Sequence, residues 1–118
     1  MYIELYEYTV NEGMWQEWEA FMARAVPYQE SRGMRVLGLY WADHDHTRFV
    51  WMRQFDNDDQ RDRVYSAVYD SEFWVQNMLP EVRRLAVTGS SRTTRLDPFP
   101  ETTASKTGNR EGAESETV

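Results

Sequence analysis

Tyr2-Ile3-Glu4-Leu5-Tyr6-Glu7-Tyr8-Thr9-Val10 is the stretch on which the fold turns. Its Tyr, Ile, Val and Thr content favours a pleated strand, and alternation separates its side chains into two sets. Tyr2, Glu4, Tyr6 and Tyr8 share one face, and Ile3, Leu5 and Glu7 share the other. Asn11-Glu12-Gly13 then makes a turn, and the period changes. Met14, Trp15, Trp18, Phe21, Met22 and Ala25 recur at helical spacing, with Gln16, Glu17, Glu19 and Arg24 opposite. Pro27 should kink or loosen this helix, and Gly33 is a natural left-handed cap.

Outward from there, Arg35 to Ala42 and Arg48 to Phe55 read as two further strands. The polar Asp43-His44-Asp45-His46-Thr47 makes the hairpin loop between them. Asp56-Asn57-Asp58-Asp59 places acids at a helix start, where they suit the exposed N–H groups and the dipole. That helix runs through Val64, Tyr65 and Val68 to a break near Asp70-Ser71. A second segment spans Glu72 to Ala86, disturbed by Pro80, and Val87 to Leu96 is a last strand. The order is β-α-β-β-α-β, so the fold class is α+β: ferredoxin-like, a four-stranded antiparallel sheet, its second helix broken in two. We divide the chain into a domain over 1–97 and a polar tail over 98–118, whose Thr, Ser, Gly and Glu content predicts disorder.

Both helices belong on one face of the sheet, because their apolar stripes need cover. Placing Ile3, Leu5, Val50 and Met52 beneath them leaves Glu4, Tyr6, Tyr8, Trp51, Arg53 and Phe55 on the other side. That set is too aromatic to stay wet, so the expectation is a homodimer in which a second sheet covers it.

Composition narrows the function. A net charge of −7 argues against nucleic-acid binding, since nothing forms a basic stripe. Of the thirteen basic residues only Lys106, in the tail, is a lysine. The folded part therefore offers no Schiff-base lysine. There is no cysteine, which removes thiol nucleophiles and thiolate metal sites. No apolar run approaches the ~20 residues of a membrane span, and the expected location is cytoplasmic. Phosphate loops, Ser-His-Asp arrangements, HExxH and dinucleotide fingerprints are all missing. Arginine-heavy usage fits a bacterial genome rich in G and C.

Several stretches, in order and spacing, resemble the NIPSNAP family within the dimeric α+β barrel superfamily. Glu4-Leu5-Tyr6-Glu7-Tyr8 is similar to its first strand, with Gly13 in the following turn. Val36-Leu37-Gly38-Leu39-Tyr40 resembles its second. Phe55-Asp56-Asn57-Asp58-Asp59-Gln60-Arg61 is similar to its aromatic-Asp-Ser stretch before a helical arginine, and Asp70-Ser71-Glu72-Phe73-Trp74 to its Asp-Pro-Glu-Trp. Thr94-Arg95-Leu96 with Pro98 matches the final strand. The likeness covers residues 2 to 99. It departs at Tyr6, where the family often has Arg, and at Arg53, where it usually has Trp. This chain thus exchanges a cationic wall for an aromatic one and moves its cation to a neighbouring strand. The resemblance implies a dimeric α+β barrel from a superfamily of cofactor-independent monooxygenases, haem-degrading enzymes, cyclases, isomerases and non-catalytic members. Fold alone does not choose among them.

The candidate site is Glu4, Tyr6, Tyr8, Tyr40, Trp51 and Arg53. An arginine within an apolar strand must find an anion, and Glu4 is the nearest candidate if the first and third strands are neighbours. The pair reads either as structure or as machinery. As machinery, Glu4 is a base tuned by Arg53, Tyr6 assists it, and Tyr8, Tyr40 and Trp51 hold a phenolic or quinonoid ligand. Trp18 and Met22 would wall any pocket between helices and sheet, although apolar helix stripes, Trp15, Trp74 and Met78 included, are usually core. His44 and His46 lie in the hairpin loop, which reads as a solvated turn and not a metal site. With both there, none remains to hold haem iron. No cofactor is expected.

Two functions stay open. One is a cofactor-independent monooxygenase, cyclase or isomerase of biosynthesis acting on a small aromatic or polyketide-like substrate. The other is a non-catalytic dimer that binds a ligand or protein. An enclosed cavity of ~300 Å3 at the Glu4–Arg53 pair would favour the first.

Overall fold

The structure, a computed structural model, describes residues 1–100; the expected disordered tail falls mainly on 101–118, outside the described residues. The elements follow in the order β1 (Tyr2–Thr9), α1 (Trp15–Ser31), β2 (Arg35–Ala42), β3 (Asp45–Phe55), α2 (Asp58–Tyr69), a π-helical turn (Trp74–Met78), α3 (Leu79–Leu85) and β4 (Arg92–Leu96). The four strands form one antiparallel sheet in the order β2-β3-β1-β4. β1 and β3 are thus its central pair, as the sequence reading required.

Local chemistry accounts for the boundaries. α1 continues through Pro27, which lies exposed, where a lost backbone hydrogen bond is made up by water. Gly33 follows it with φ +102°, a left-handed position that suits a residue without Cβ. Asn57 caps α2, accepting a hydrogen bond from the Gln60 N–H through its side chain, and Asp58 and Asp59 occupy the first turn. β4 begins five residues later than expected, because Gly89 at φ +77° turns the chain after the isolated Val10–Ala86 bridge. The β2–β3 hairpin is tighter than expected. His44 adopts φ +58° within the turn, and Asp45 accepts hydrogen bonds from the Thr47 backbone N–H and hydroxyl. His46 is not a free loop residue; its ring stacks on Trp15 at 4.5 Å.

The larger correction concerns the sheet faces. The helices cover the side bearing Tyr2, Glu4, Phe49, Trp51, Arg53 and Phe55, all of them buried. Ile3, Leu5, Val50 and Met52 lie on the opposite, half-buried side. The expectation that aliphatic residues pack beneath the helices, with a second protomer sheltering the aromatic set, is therefore reversed. Residue size explains it. α1 and the π-helical turn bring Trp18, Phe21 and Trp74 to the layer between helices and sheet; Trp18 meets the strand rings of Tyr8 and Phe49 edge-on, and Phe21 meets Trp74 in the same way. Large rings fill that wide layer, and each buries more surface than an aliphatic side chain. A buried acid is tolerated there because a buried arginine faces it.

Candidate functional site

Strand register builds the site. Glu4 sits directly across from Arg53, Tyr6 across from Trp51 and Tyr8 across from Phe49. Directly opposed residues share a face, so the period of two on each strand gathers this group beneath α2 and α3. α2 adds Arg61, Tyr65 and Tyr69, four residues apart and hence on one stripe.

An Arg53 Nη donates to Glu4 Oε1 at 2.5 Å, and Arg61 Nε donates to Glu4 Oε2 at 2.5 Å. Arg53 also donates to the Tyr65 hydroxyl, which lies 3.4 Å from Glu4 Oε1. The Arg53 and Glu4 side chains are 1% and 7% exposed. Two charges this deep are tolerated only as a well-bonded pair. The Arg53 guanidinium carbon lies 4.4 Å from the Tyr6 ring centre and 4.7 Å from Trp51, so ring faces supply further cation–π attraction. Burial works against the arginine's charge, but Tyr65, Tyr69 and the Glu4 hydrogen bond outweigh it, and the group binds its proton more tightly than an ordinary arginine.

Beside this network is a cavity of about 280 Å3, walled by Tyr6, Tyr8, Trp51, Arg53, Tyr65, Tyr69, Trp74, Leu79 and Val82. Burial raises the phenol pKa values of Tyr8, Tyr65 and Tyr69, so these walls stay neutral and keep protons to donate. The Nε–H of Arg53 has no acceptor among the described residues. The result is an aromatic chamber with one fixed cation and several hydroxyls. Such a chamber suits a flat molecule bearing a negative oxygen.

No protein-family model matches the chain, and no curated protein matches it in sequence. Solved structures do match its shape. An uncharacterized NIPSNAP domain protein from Burkholderia xenovorans superimposes with a TM-score of 0.73, over 85% of this chain and 96% of that one, at 16% identity. A NIPSNAP family protein from Agrobacterium tumefaciens str. C58 gives 0.73 over 84% and 93%, at 20% identity. This chain has the NIPSNAP-type fold. An antibiotic biosynthesis monooxygenase is also similar, with a TM-score of 0.65 over 85% of this chain and 100% of its own, at 12% identity. Identities this low carry the fold and nothing of the chemistry.

The NIPSNAP-type domain brings together only part of the expected site. Tyr6, Tyr8, Trp51 and Arg53 share the cavity wall. Glu4 does not reach that wall; it stands behind Arg53, held by two arginines. Tyr40 is not on this wall, since its partner is Val50 and a β-bulge intervenes between Val36 and Gly38; it borders a separate cavity between α1 and β2 instead. Its ring covers Gly38, where an added Cβ would lie 2.2 Å from the Tyr40 hydroxyl oxygen. Trp18 and Met22 wall that cavity, of about 230 Å3, and also a small void behind the main one. The residues that sequence reasoning missed are mostly on α2. Arg61, Tyr65 and Tyr69 show a spacing of four that, set beside a buried acid, would have marked them. Among the described residues no group of three or more His, Asp or Glu side chains is gathered to hold a metal, and no helix is long and apolar enough to cross a membrane.

Proposed function

We propose that this NIPSNAP-type domain binds a small planar aromatic or polyketide-like molecule in the 280 Å3 cavity and stabilises its enolate or phenolate without a cofactor. The observation that carries this reading is Arg53: a buried cation on the wall of an aromatic chamber, with an N–H that no atom of the described residues accepts. When a C–H or O–H proton leaves such a substrate for solvent, its electron pair collects on an oxygen. A fixed cation and hydroxyls on the same wall lower the cost of forming it. Isomerisation, cyclisation or direct reaction with oxygen can follow from the anion. In this scheme Arg53 is catalytic, and Tyr6 and Tyr8 are oxyanion donors on the wall. Trp51 supplies a stacking surface. Glu4 is a positioning residue: both of its oxygens are engaged by arginines, which fixes the guanidinium and keeps the carboxylate off the cavity wall.

That same engagement of Glu4 favours the second reading, a non-catalytic dimer that binds a ligand or protein, because the cavity wall then lacks a carboxylate base. Deuterium exchange at the carbon between the two carbonyls of ethyl benzoylacetate, followed by NMR, separates the two. Exchange accelerated above the buffer rate, and lost in Arg53→Met, supports the enzyme. Binding without acceleration supports the second reading. Neither binding nor acceleration contradicts both.

Either reading includes a homodimer, which we place on the uncovered sheet face. Ile3, Leu5, Val50 and Met52 are half-buried there, with Tyr40 and Leu96 half-exposed beside them. An apolar patch of this kind is commonly covered by a partner. Sedimentation of the Met52→Asp variant should show a shift toward the single chain.

A further inference from the structure

Behind the main cavity is a second, much smaller void of about 20 Å3. Tyr8, Trp51, Tyr69, Trp74 and Val82 wall both spaces, so the small one adjoins the large one as an inner recess. Its other walls include Trp18 and Gln29. Among the described residues four buried side-chain polar atoms have no hydrogen-bond partner, and three of them belong to this recess: Trp18 Nε1, Trp51 Nε1 and Gln29 Oε1. Their residues are 1%, 3% and 2% exposed.

Unpartnered polar groups at such depth cost free energy unless something completes them. Three on residues that line one void describe what that something is. An indole N–H can only donate. The Gln29 amide is oriented by its Nε2, which donates to the Tyr69 hydroxyl at 3.1 Å, leaving Oε1 as an acceptor. The complementary group is a single oxygen that accepts two hydrogen bonds and donates one. A carbonyl or carboxylate oxygen has no proton for Gln29, and an ammonium has no lone pair for the indoles. A neutral hydroxyl meets all three. The volume agrees, because a water-sized group needs about 10–15 Å3.

We propose that the recess is a hydroxyl subsite, and that the ligand of this domain carries a neutral hydroxyl at a ring position separate from the oxyanion held by Arg53. This rests on the reading of the main cavity given above, and it narrows the ligand to hydroxylated aromatics. Gln29 and Trp18 act as specificity-determining residues, since a site built to bond a hydroxyl discriminates against the analogue without one through its own unpaired groups.

The test is binding of 2-naphthoate and its hydroxylated isomers to the full chain, followed by calorimetry. At least one hydroxy-2-naphthoate should bind tenfold or more tightly than 2-naphthoate. In Gln29→Leu that ratio should fall to about threefold or less, and Trp18→Phe should lower it to an intermediate value, which keeps the test decisive if Gln29→Leu does not fold. Binding of 2-naphthoate with every isomer within twofold of it overturns the hydroxyl subsite alone, leaving water as the occupant of the recess. A ratio that survives Gln29→Leu unchanged overturns it equally. Failure of the whole series to bind removes the main-cavity reading and this one with it.

Discussion

The two central strands carry a glutamate–arginine pair on each face of the sheet, and the two pairs live in different worlds. On the covered face, Glu4 and Arg53 are directly opposed and 7% and 1% exposed. On the open face, Arg48 reaches Glu7 at 3.2 Å, with the arginine 62% exposed. The residue types are the same and the strands are the same. What differs is whether water can replace the partner. At Arg48 it can, so the pair is an incident of the surface. At Arg53 it cannot, and the charge depends on Glu4, Tyr65 and the surrounding rings. A cation so fixed is what an anionic ligand can use.

Breaking each pair should display that contrast. Glu4→Gln leaves Arg53 buried without a counter-charge, and we expect a loss of about 3–5 kcal/mol in urea unfolding. The same change at Glu7 comes last in the series.

Alkaline pH attacks the covered face more gradually. Tyr8, Tyr65 and Tyr69 have pKa values raised by burial. The folded protein keeps these phenol protons after the unfolded chain, with pKa near 10, begins to lose them. Their contribution is therefore constant below about pH 10 and declines as pH rises from there toward the folded pKa values. Each costs roughly 1.4 kcal/mol by one pH unit past the unfolded value. Absorbance of tyrosinate should show Tyr8, Tyr65 and Tyr69 ionising only as the fold opens. Ionisation of these three near pH 10 in a folded protein would contradict the burial of this face.

Glu7→Gln should change unfolding free energy by less than about 1 kcal/mol, and added salt should erase even that. A loss comparable to that of Glu4→Gln would mean that the open face is as sheltered as the covered one, which is the signature expected if a very stable dimer closes over it.

The same contrast shows what was legible in the sequence. Alternation in Tyr2–Thr9 and Asp45–Phe55 determined which side chains travel together, and strand order made Glu4 and Arg53 neighbours. Period two says nothing about which set faces the helices. Aliphatic-in was the natural choice, yet the helices present Trp18, Phe21 and Trp74, and rings packed against rings. A consequence is that the candidate site is built from the residues of a single chain. Tyr40 was lost to a β-bulge beside Gly38, since one extra residue on β2 changes the face of everything beyond it. The α2 contribution was hidden for another reason: Arg61, Tyr65 and Tyr69 look like ordinary solvated helix residues until the strand charges beneath them are located. Gln29, a polar residue on an apolar stripe, was the one legible sign of the inner recess.

The central claim is that the cavity around Arg53 is complete within one chain and takes a planar anion. Calorimetric titration of 2-naphthoate into the protein and its Arg53→Met variant tests it most directly. The account predicts one site per chain and an affinity at least tenfold lower in Arg53→Met. One site per two chains, or an affinity unchanged by the substitution, would contradict it.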